Sequence, residues 1–144
     1  MQFLYQADLI NKDNPRIRLF YADLTSANLK GTDAQENVFM LDNANLRGVN
    51  LADADLEYTN LEGSNVSLAH LVNTDLSNAD LSDANLYHSY LSNVDLSDAN
   101  LSGADLSSVD LRNDWGLTQE QIDEAKGDER TQLPDGLQRP ATWS

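Results

Sequence analysis

The stretch TDLSNADLSDANL, residues 74–86, places Leu76, Leu81 and Leu86 five residues apart. In an α-helix, with about 3.6 residues per turn, a step of five rotates the side chain about 140° past a full turn, so the leucines would scatter around the surface. In a straight strand, an odd step would send successive leucines to opposite faces. A chain that bends once in every five residues presents each leucine to the same interior. The spacing therefore predicts a coil.

The five-residue repeat continues without a slip from residue 39 to residue 113, which gives 15 pentads. We call the central residue of each pentad position i; it is leucine in every pentad except one, where it is Val66. Position i−2 holds mostly small residues. Position i−1 holds Asp or Asn in 12 of the 15 pentads, which favours a turn because these short side chains bond nearby backbone groups. The predicted core consists of the central residues Leu46, Leu51, Leu56, Leu61, Val66, Leu71, Leu76, Leu81, Leu86, Leu91, Leu96, Leu101, Leu106 and Leu111.

The units ANLRG, ADLEY, ADLSD, ANLSG and ADLSS resemble the A(D/N)LXX consensus of pentapeptide repeat proteins, and the resemblance covers roughly residues 17 to 113. What the resemblance implies is an all-β solenoid, a right-handed quadrilateral β-helix. It would have four pentads per coil, with positions i and i−2 facing inward. Residues 20 apart in the sequence would then be vertical neighbours on the outer surface.

An earlier block of the repeat runs in another frame. Leu19, Leu24, Leu29 and Ala34 are five residues apart, and the next centre, Leu41, follows Ala34 by seven. This step predicts an insertion of two residues near positions 37 and 38, with no long loop. The chain is accordingly divided into an irregular N-terminal segment or first coil at 1–16, the β-helix at 17–113 and a C-terminal cap at 114–144.

The C-terminal part is predicted to contain a short helix at about 119–126. Thr118 is a suitable N-cap, Gln121 completes a capping box, and Gly127 provides the stop. Such a helix can close the last coil, whose open end would otherwise expose unpaired backbone and apolar side chains. Trp115 is expected to seal the junction. The tail is expected to lie along the end of the solenoid, anchored by Leu133, Leu137 and Trp143.

The composition limits the possible partners. The chain has 9 basic and 24 acidic side chains, for a net charge of −15. Because such a chain is repelled by nucleic acid and by anionic membranes, we expect protein partners with basic or apolar surfaces and no direct contact with nucleic acid. The lack of cysteine excludes disulfides and thiolate chemistry and favours a cytoplasmic location. No stretch of about 18 apolar residues occurs, so no membrane span is expected in this chain.

The 20-residue stacking predicts two outer surfaces. One is acidic, with a column of Asp55, Asp75 and Asp95 joined by Glu57 and Asp98, and the next side carries Glu62, Asp80 and Asp83. The opposite corner gathers the apolar and aromatic side chains at outward positions, Leu68, His70, Val72, Tyr87, His88 and Tyr90. Such a cluster on a polar repeat surface predicts a contact site for a partner. The alternative is that a few aromatic residues fill columns on a tolerant surface.

The acidity has two interpretations. Residues 39–113 hold 12 acidic side chains and two basic ones, Arg47 and Arg112. With coils about 4.8 Å apart, one net charge falls on roughly every 1.8 Å of length, close to the spacing of about 1.7 Å in duplex DNA. This density permits mimicry of DNA. The alternative is that the acidity is a by-product of the fold, because Asp at position i−1 belongs to the repeat consensus.

No catalytic constellation is predicted. His70 and His88 fall in different columns, and we expect no serine beside either of them. No phosphate-binding loop or calcium-binding repeat occurs, so no cofactor and no metal are expected. The favoured function is a non-enzymatic interaction or scaffold module, and a homodimer is compatible with it. The family resemblance implies the alternative, a bacterial DNA mimic that binds DNA gyrase or another DNA-binding protein and protects it from quinolones or peptide toxins. Asp55, Asp75, Asp95 and Asp98 would carry that binding.

Overall fold

The computed structural model describes Leu19, residues 21–30 and residues 40–143. Parallel bridges join position i−1 of one pentad to the same position 20 residues later, as in Asp55 to Asp75 and Asp75 to Asp95. The bridges fall into four columns, one for each pentad of a 20-residue coil. Within the described residues the repeats form isolated bridges rather than longer strands, and the only helix, α1, spans Gln119–Glu124. No helix in these ranges has the length and apolar character needed to cross a membrane.

Backbone hydrogen bonds hold each coil to the next. The amide of position i donates to the carbonyl 19 residues later, as Leu76 does to Asp95 over 2.9 Å. The amide of position i+2 does the same, as Asn78 does to Ser97 over 2.9 Å. The amide of position i−1 donates to the preceding coil, and for Asp75 the acceptor is the carbonyl of Ala54 at 3.0 Å. We call this set of bonds the inter-coil ladder.

Each pentad bends at a β-turn that begins on its central residue. The Leu41 carbonyl accepts the Ala44 amide over 3.0 Å, and Asn43, the third residue of the turn, has a φ of 54°. This left-handed conformation is tolerated by Gly, Asn and Asp far better than by other residues. The same position holds Asp53, Gly63 and Asn73, with φ values of 59°, 61° and 58°. The turn therefore explains the polar residues that follow the leucines.

The Asp or Asn at position i−1 closes a second, smaller turn. Its Oδ1 accepts the backbone amide two residues later, as Asn45 does from Arg47 over 3.2 Å and Asp75 does from Ser77 over 2.9 Å. An amide oxygen and a carboxylate oxygen serve equally as acceptors in this Asx-turn. The Asx-turn therefore requires an oxygen at this position but not a negative charge.

The interior is filled by the central residues and by the small residues at position i−2. All fourteen predicted core residues from Leu46 to Leu111 are buried, with 0 to 7% of their surface exposed. Inward hydroxyls bond the coil below. For example, Thr74 donates to the Leu51 carbonyl and Ser89 to the Val66 carbonyl, each over 2.8 Å and each across 23 residues. The buried Ser64 hydroxyl has no partner.

The stacking of the first described coil corrects the predicted insertion. Asp23 pairs with Asn50 and Asn28 pairs with Asp55, and both steps are 27 residues instead of 20. The insertion therefore comprises seven residues, not two, and it falls between residues 30 and 40. The sequence frame misled because Ala34 continues the five-residue spacing of Leu19, Leu24 and Leu29. The predictions for residues 1–16, for Ala34 and for positions 37 and 38 lie outside the described residues.

The C-terminal segment begins with helix α1. Thr118 is its N-cap. Both bonds of the capping box are present, because the Thr118 side chain accepts the Gln121 amide and the Gln121 side chain accepts the Thr118 amide. The Gln121 side chain also donates to the carbonyls of Leu96 and Ala99, at 3.0 and 2.8 Å. After the helix, Lys126 bridges to Asp105 and Gln132 to Asp110, so the chain rejoins the inter-coil ladder.

Three details of this segment differ from the sequence prediction. The helix ends at Glu124, because Ala125 is extended with a ψ of 169°. Gly127 is not a left-handed stop; a Cβ at this residue would lie 2.4 Å from the Trp143 ring, so the glycine makes room for that ring. Trp143 is buried, and Leu133 and Leu137 pack against the core, but Trp115 is 60% exposed and does not seal the junction.

Replacing Leu76 by Asp should abolish the cooperative thermal transition in circular dichroism, because an unpaired carboxylate in the interior costs several kcal/mol and neighbouring coils depend on one another. The matched control is Asn78→Asp, which places the same charge on an exposed turn residue with a φ of 58°. The control should change the unfolding free energy by less than about 0.5 kcal/mol. A native melting curve for Leu76→Asp would show that the central residues do not face inward.

Candidate interaction surfaces

The acidic column contains Asp55, Asp75 and Asp95, which are stacked by consecutive bridges. Their Oδ1 atoms accept the amides of the residues two positions later at 3.2, 2.9 and 2.9 Å. Asn in the opposite column makes the same bond, for example Asn45 at 3.2 Å. Like charges in direct register repel each other. The turn therefore explains an Asp or Asn at each of these positions, but it does not explain three successive Asp residues.

The N-terminal end of this column is partly neutralised by a lysine of the same chain. The Lys30 ammonium forms an ion pair with Glu57. The hydrogen bond to Glu57 raises the pKa of Lys30, and the charges of Asp55 and Asp75 raise it further. Ligand atoms of Asp55, Glu57 and Asp75 lie within 4.8 Å of one another. Lys30 provides a counter-charge for this group.

The other predicted acidic residues are spread over turns and ladder positions. Asp98 is an exposed turn residue with a φ of 55°. Asp80 accepts Ser82 Oγ at 2.6 Å and Asn100 Nδ2 at 3.1 Å. Asp83 lies 3.9 Å from the Lys126 ammonium, and Glu62 is exposed. These residues add negative charge to two neighbouring sides without forming a compact site.

The second surface is the aromatic corner, which we define by Leu68, His70, Tyr87, His88 and Tyr90. The His70 and Tyr90 ring centroids are 4.8 Å apart and tilted by 30°. The Tyr87 and His88 centroids are 4.5 Å apart in an edge-to-face arrangement at 78°. Tyr87 is 41% exposed and Tyr90 is 60% exposed, whereas Leu68 and the neighbouring Val72 are half-buried. The rings therefore form most of the accessible surface of this corner.

The structure adds Tyr21 to the aromatic corner, which the sequence analysis missed. The 27-residue step places Tyr21 in the column of Gly48, Leu68 and His88, and its amide donates to the Arg47 carbonyl over 3.0 Å. Tyr21 is 65% exposed. A Cβ on Gly48 would lie 2.4 Å from the Tyr21 ring, so the glycine lets the ring lie flat over the next coil. Gly48, in the column of Leu68 and His88, was the feature of the sequence that could have indicated a bulky neighbour in the preceding coil.

Arg47 gives the corner a cation. Its guanidinium carbon lies 5.7 Å from the centroid of the Tyr21 ring, and it also donates a hydrogen bond to the Tyr21 hydroxyl. A guanidinium over an aromatic face is an attractive cation–π arrangement. The aromatic corner thus runs from Tyr21 in the first described coil to Tyr90, along one edge of the solenoid.

Three residues of the corner occupy strained backbone positions. Tyr21, Leu68 and His88 have φ values of 58°, 60° and 57° at the turn position that elsewhere favours Asn, Asp or Gly. A residue with a Cβ in this conformation costs roughly 1 to 2 kcal/mol. The fold alone would be better served by Asn at all three sites. Strained residues of this kind often mark functional sites, so the corner merits a functional explanation.

The two histidines lie in different columns, but the expectation of no neighbouring serine is wrong for His88. Ser108 follows His88 by 20 residues and occupies the same column. The Ser108 hydroxyl donates to Asp128 over 2.8 Å. Burial would raise the pKa of Asp128, but bonds from Ser108, Thr131 and Arg130 outweigh it and hold that pKa well below its usual range. Among the described residues, no hydrogen bond joins Ser108 to His88.

Comparison with known proteins identifies the class. The family model for pentapeptide repeats matches residues 40–67 and 74–113, in eight copies. The chain is therefore a pentapeptide repeat protein, as the repeat units and the 20-residue coil indicate. A search of curated proteins gave no match.

Solved structures of pentapeptide repeat proteins are similar to this chain. Rfr23 from the cyanobacterium Cyanothece 51142 has a TM-score of 0.63 at 24% identity, over 92% of this chain and 96% of its own. HetL from Nostoc sp. strain PCC 7120, a protein involved in the regulation of heterocyst differentiation, has a TM-score of 0.56 at 26% identity. That match covers 86% of this chain and 60% of HetL, so the chain spans less than two thirds of the length of HetL.

Replacing His88 by Asn should relieve the left-handed strain and make the protein more stable than the His88→Ala variant by about 1 kcal/mol, because both substitutions remove the ring but only Asn tolerates this backbone conformation. The difference is measured by urea denaturation of the two variants side by side. Equal midpoints would show that the backbone at residue 88 carries no such strain.

Proposed function

We propose that this pentapeptide repeat protein is a non-enzymatic interaction module and that its aromatic corner binds a protein partner. The observation that carries the proposal is the exposed, strained and aromatic character of this one edge. Tyr21, Tyr87 and Tyr90 are 65, 41 and 60% exposed. Aromatic residues and arginine are enriched where proteins bind one another, because they offer a large rigid surface.

The solenoid supports this function by holding the corner rigid. The backbone under each corner residue is fixed by ladder bonds, such as Leu68 to Tyr87 at 3.1 Å and Leu71 to Tyr90 at 2.9 Å. A partner that docks here does not have to order the backbone, which lowers the entropic cost of binding. HetL, which resembles this chain, is involved in the regulation of heterocyst differentiation, a role compatible with binding rather than catalysis.

We also propose that the C-terminal segment caps a right-handed solenoid. Helix α1 and the tail supply acceptors to the last coils, since Gly103 donates to Glu124 over 2.9 Å and Leu111 donates to Gln132 over 2.8 Å. The buried Ile122 and Trp143 cover apolar surface at this end. Such protection prevents edge-to-edge association of an open coil.

A second candidate function is mimicry of DNA by the acidic column. The observation in its favour is that Asp55, Asp75 and Asp95 stack in register although Asn would close the same Asx-turns. A column that keeps three repelling charges favours a role in contacting a basic surface. The partner would be DNA gyrase or another DNA-binding protein.

One binding experiment separates the two candidates. The corner variant carries Tyr87→Ser, His88→Asn and Tyr90→Asn, each chosen as a residue that the same pentad position holds elsewhere in the chain. The matched acidic variant carries Asp55→Asn, Asp75→Asn and Asp95→Asn, which keep the Asx-turns. Both variants should fold, which is checked by circular dichroism. Proteins captured from a bacterial lysate by the wild type and by each variant are then quantified by mass spectrometry.

We expect the corner variant to capture a specific protein at least tenfold less than the wild type does. The acidic variant should capture the same protein as well as the wild type does. Mimicry would be supported instead by three results together. Capture is lost with the acidic variant alone, the lost proteins are gyrase subunits, and the wild type inhibits supercoiling by gyrase. Equal capture by all three proteins would contradict both candidates.

A further inference from the structure

Asp114 is a carboxyl group in an inward position. The bridge between Asp95 and Trp115 fixes the register, so Asp114 lies above Val94 in the inward column that contains Ala54 and Thr74. Only 6% of Asp114 is exposed. Among the described residues, every other i−2 position holds an uncharged side chain. The sequence gives no warning, because Gly116 replaces the leucine that would mark this pentad.

The carboxyl group takes over a bond that normally closes a turn. Asp114 Oδ1 accepts the Val94 amide over 2.9 Å. In the neighbouring pentads the equivalent amide closes the turn, as Ser89 does onto Leu86 over 2.9 Å and Ala99 onto Leu96 over 3.2 Å. The turn that begins at Leu91 lacks this bond. Asp114 Oδ2 is buried and has no hydrogen-bond partner.

The inter-coil ladder is interrupted at the same place. One coil earlier, the amides of Leu71, Asn73 and Tyr90 donate to neighbouring coils at 2.9, 2.9 and 2.8 Å. Their counterparts one coil later, the amides of Leu91, Asn93 and Asp110, form no hydrogen bond within the described structure. We call this gap between residues 90–93 and 110–113 the seam.

The Leu91 carbonyl is a hydrogen-bond acceptor at this site that has no donor among the described residues. Inward hydroxyls at i−2 bond the carbonyl 23 residues earlier, as Thr74 bonds Leu51 and Ser89 bonds Val66. The corresponding partner of residue 114 is Leu91, whose carbonyl accepts no bond within the described ranges. A protonated carboxyl can donate to this carbonyl. An ionised carboxylate presents only acceptors to it, which disfavours ionisation.

We propose that Asp114 forms a proton-dependent hydrogen bond between the last two coils. When it is protonated, Oδ2 donates to the Leu91 carbonyl and the seam closes. When it is ionised, it releases that carbonyl and the seam stays open. Opening loosens the last coil, from which the C-terminal segment continues. Tyr90 of the aromatic corner borders the seam, so the same proton controls the end of that surface.

The electrostatic surroundings place this transition near pH 6. Burial raises the pKa of Asp114 to about 6, the Val94 amide opposes the rise, and the charge of Asp110 adds to it. Asp110 is itself paired with Arg112 at 2.7 Å. The coil below presents uncharged Val94 to the carboxyl, and the next residue down the same inward column is uncharged Thr74. Between the ordinary pKa of 3.8 and about 6, the folded protein holds a proton that the unfolded chain has released, so stability falls as pH rises through this window.

The test compares the wild type with Asp114→Thr and with the exposed control Asp98→Asn. A threonine at 114 should donate to the Leu91 carbonyl as Thr74 does to Leu51, without needing a proton. From pH 4 to pH 7 the unfolding equilibrium constant of the wild type and of the control should rise roughly 50-fold more than that of Asp114→Thr, as a pKa shift of about two units requires over this range. Equal pH dependence in all three proteins would overturn the proposal.

Two further measurements on the folded protein keep the proposal testable if Asp114→Thr does not fold. The side-chain carboxyl carbon of Asp114 should titrate near pH 6 by NMR. Protection of the Leu91, Asn93 and Asp110 amides against hydrogen exchange, corrected for the intrinsic rate, should be greater at pH 5 than at pH 7.5. A carboxyl that titrates near pH 4, or protection that does not change, would overturn the proposal.

Discussion

The left-handed residue in each β-turn is the constraint on which the structure depends. Because the third residue of every turn has a φ between 53° and 70° from Asn43 to Ser108, the chain changes direction once per pentad and returns to the same column after four pentads. The leucines face inward and the Asx-turn residues face outward as a consequence. The inter-coil ladder then adds bonds at up to three backbone amides of each pentad, and it is interrupted at the seam.

This constraint separates what the fold demands from what it permits. The fold favours a small residue at i−2, an acceptor at i−1 and a residue that tolerates a positive φ at i+2. It does not demand charge at Asp75, an aromatic ring at Tyr90 or a histidine at His88. These residues depart from what the scaffold needs, and they concentrate on particular edges. A function of this protein is therefore expected at those edges, because the repeat itself explains the remaining surface.

Sequence periodicity predicted the coil and the buried leucines, and the 20-residue coil that the family resemblance implies predicted the stacking of Asp55, Asp75 and Asp95. Both failed where the register is interrupted. The seven-residue insertion hid the position of Tyr21, since Ala34 looks like a regular centre. Asp114 was assigned to the C-terminal segment because Gly116 ends the leucine pattern. Helix α1 ended early because Ala125 and Lys126 return to the ladder, a tertiary preference that local capping signals do not reveal.

The most direct test of the account is disulfide trapping between columns, which is feasible because the chain has no cysteine of its own. The pair Asn73→Cys with Asn93→Cys lies in one column, and so does the pair Ser26→Cys with Asp53→Cys across the insertion. Adjacent coils bring such residues about 5 Å apart, within the Cα separation of a disulfide. Both pairs should crosslink on mild oxidation, whereas Asn73→Cys with Asp98→Cys, on neighbouring sides, should not. Crosslinking of the third pair, or failure of both of the first two, would contradict the 20-residue coil.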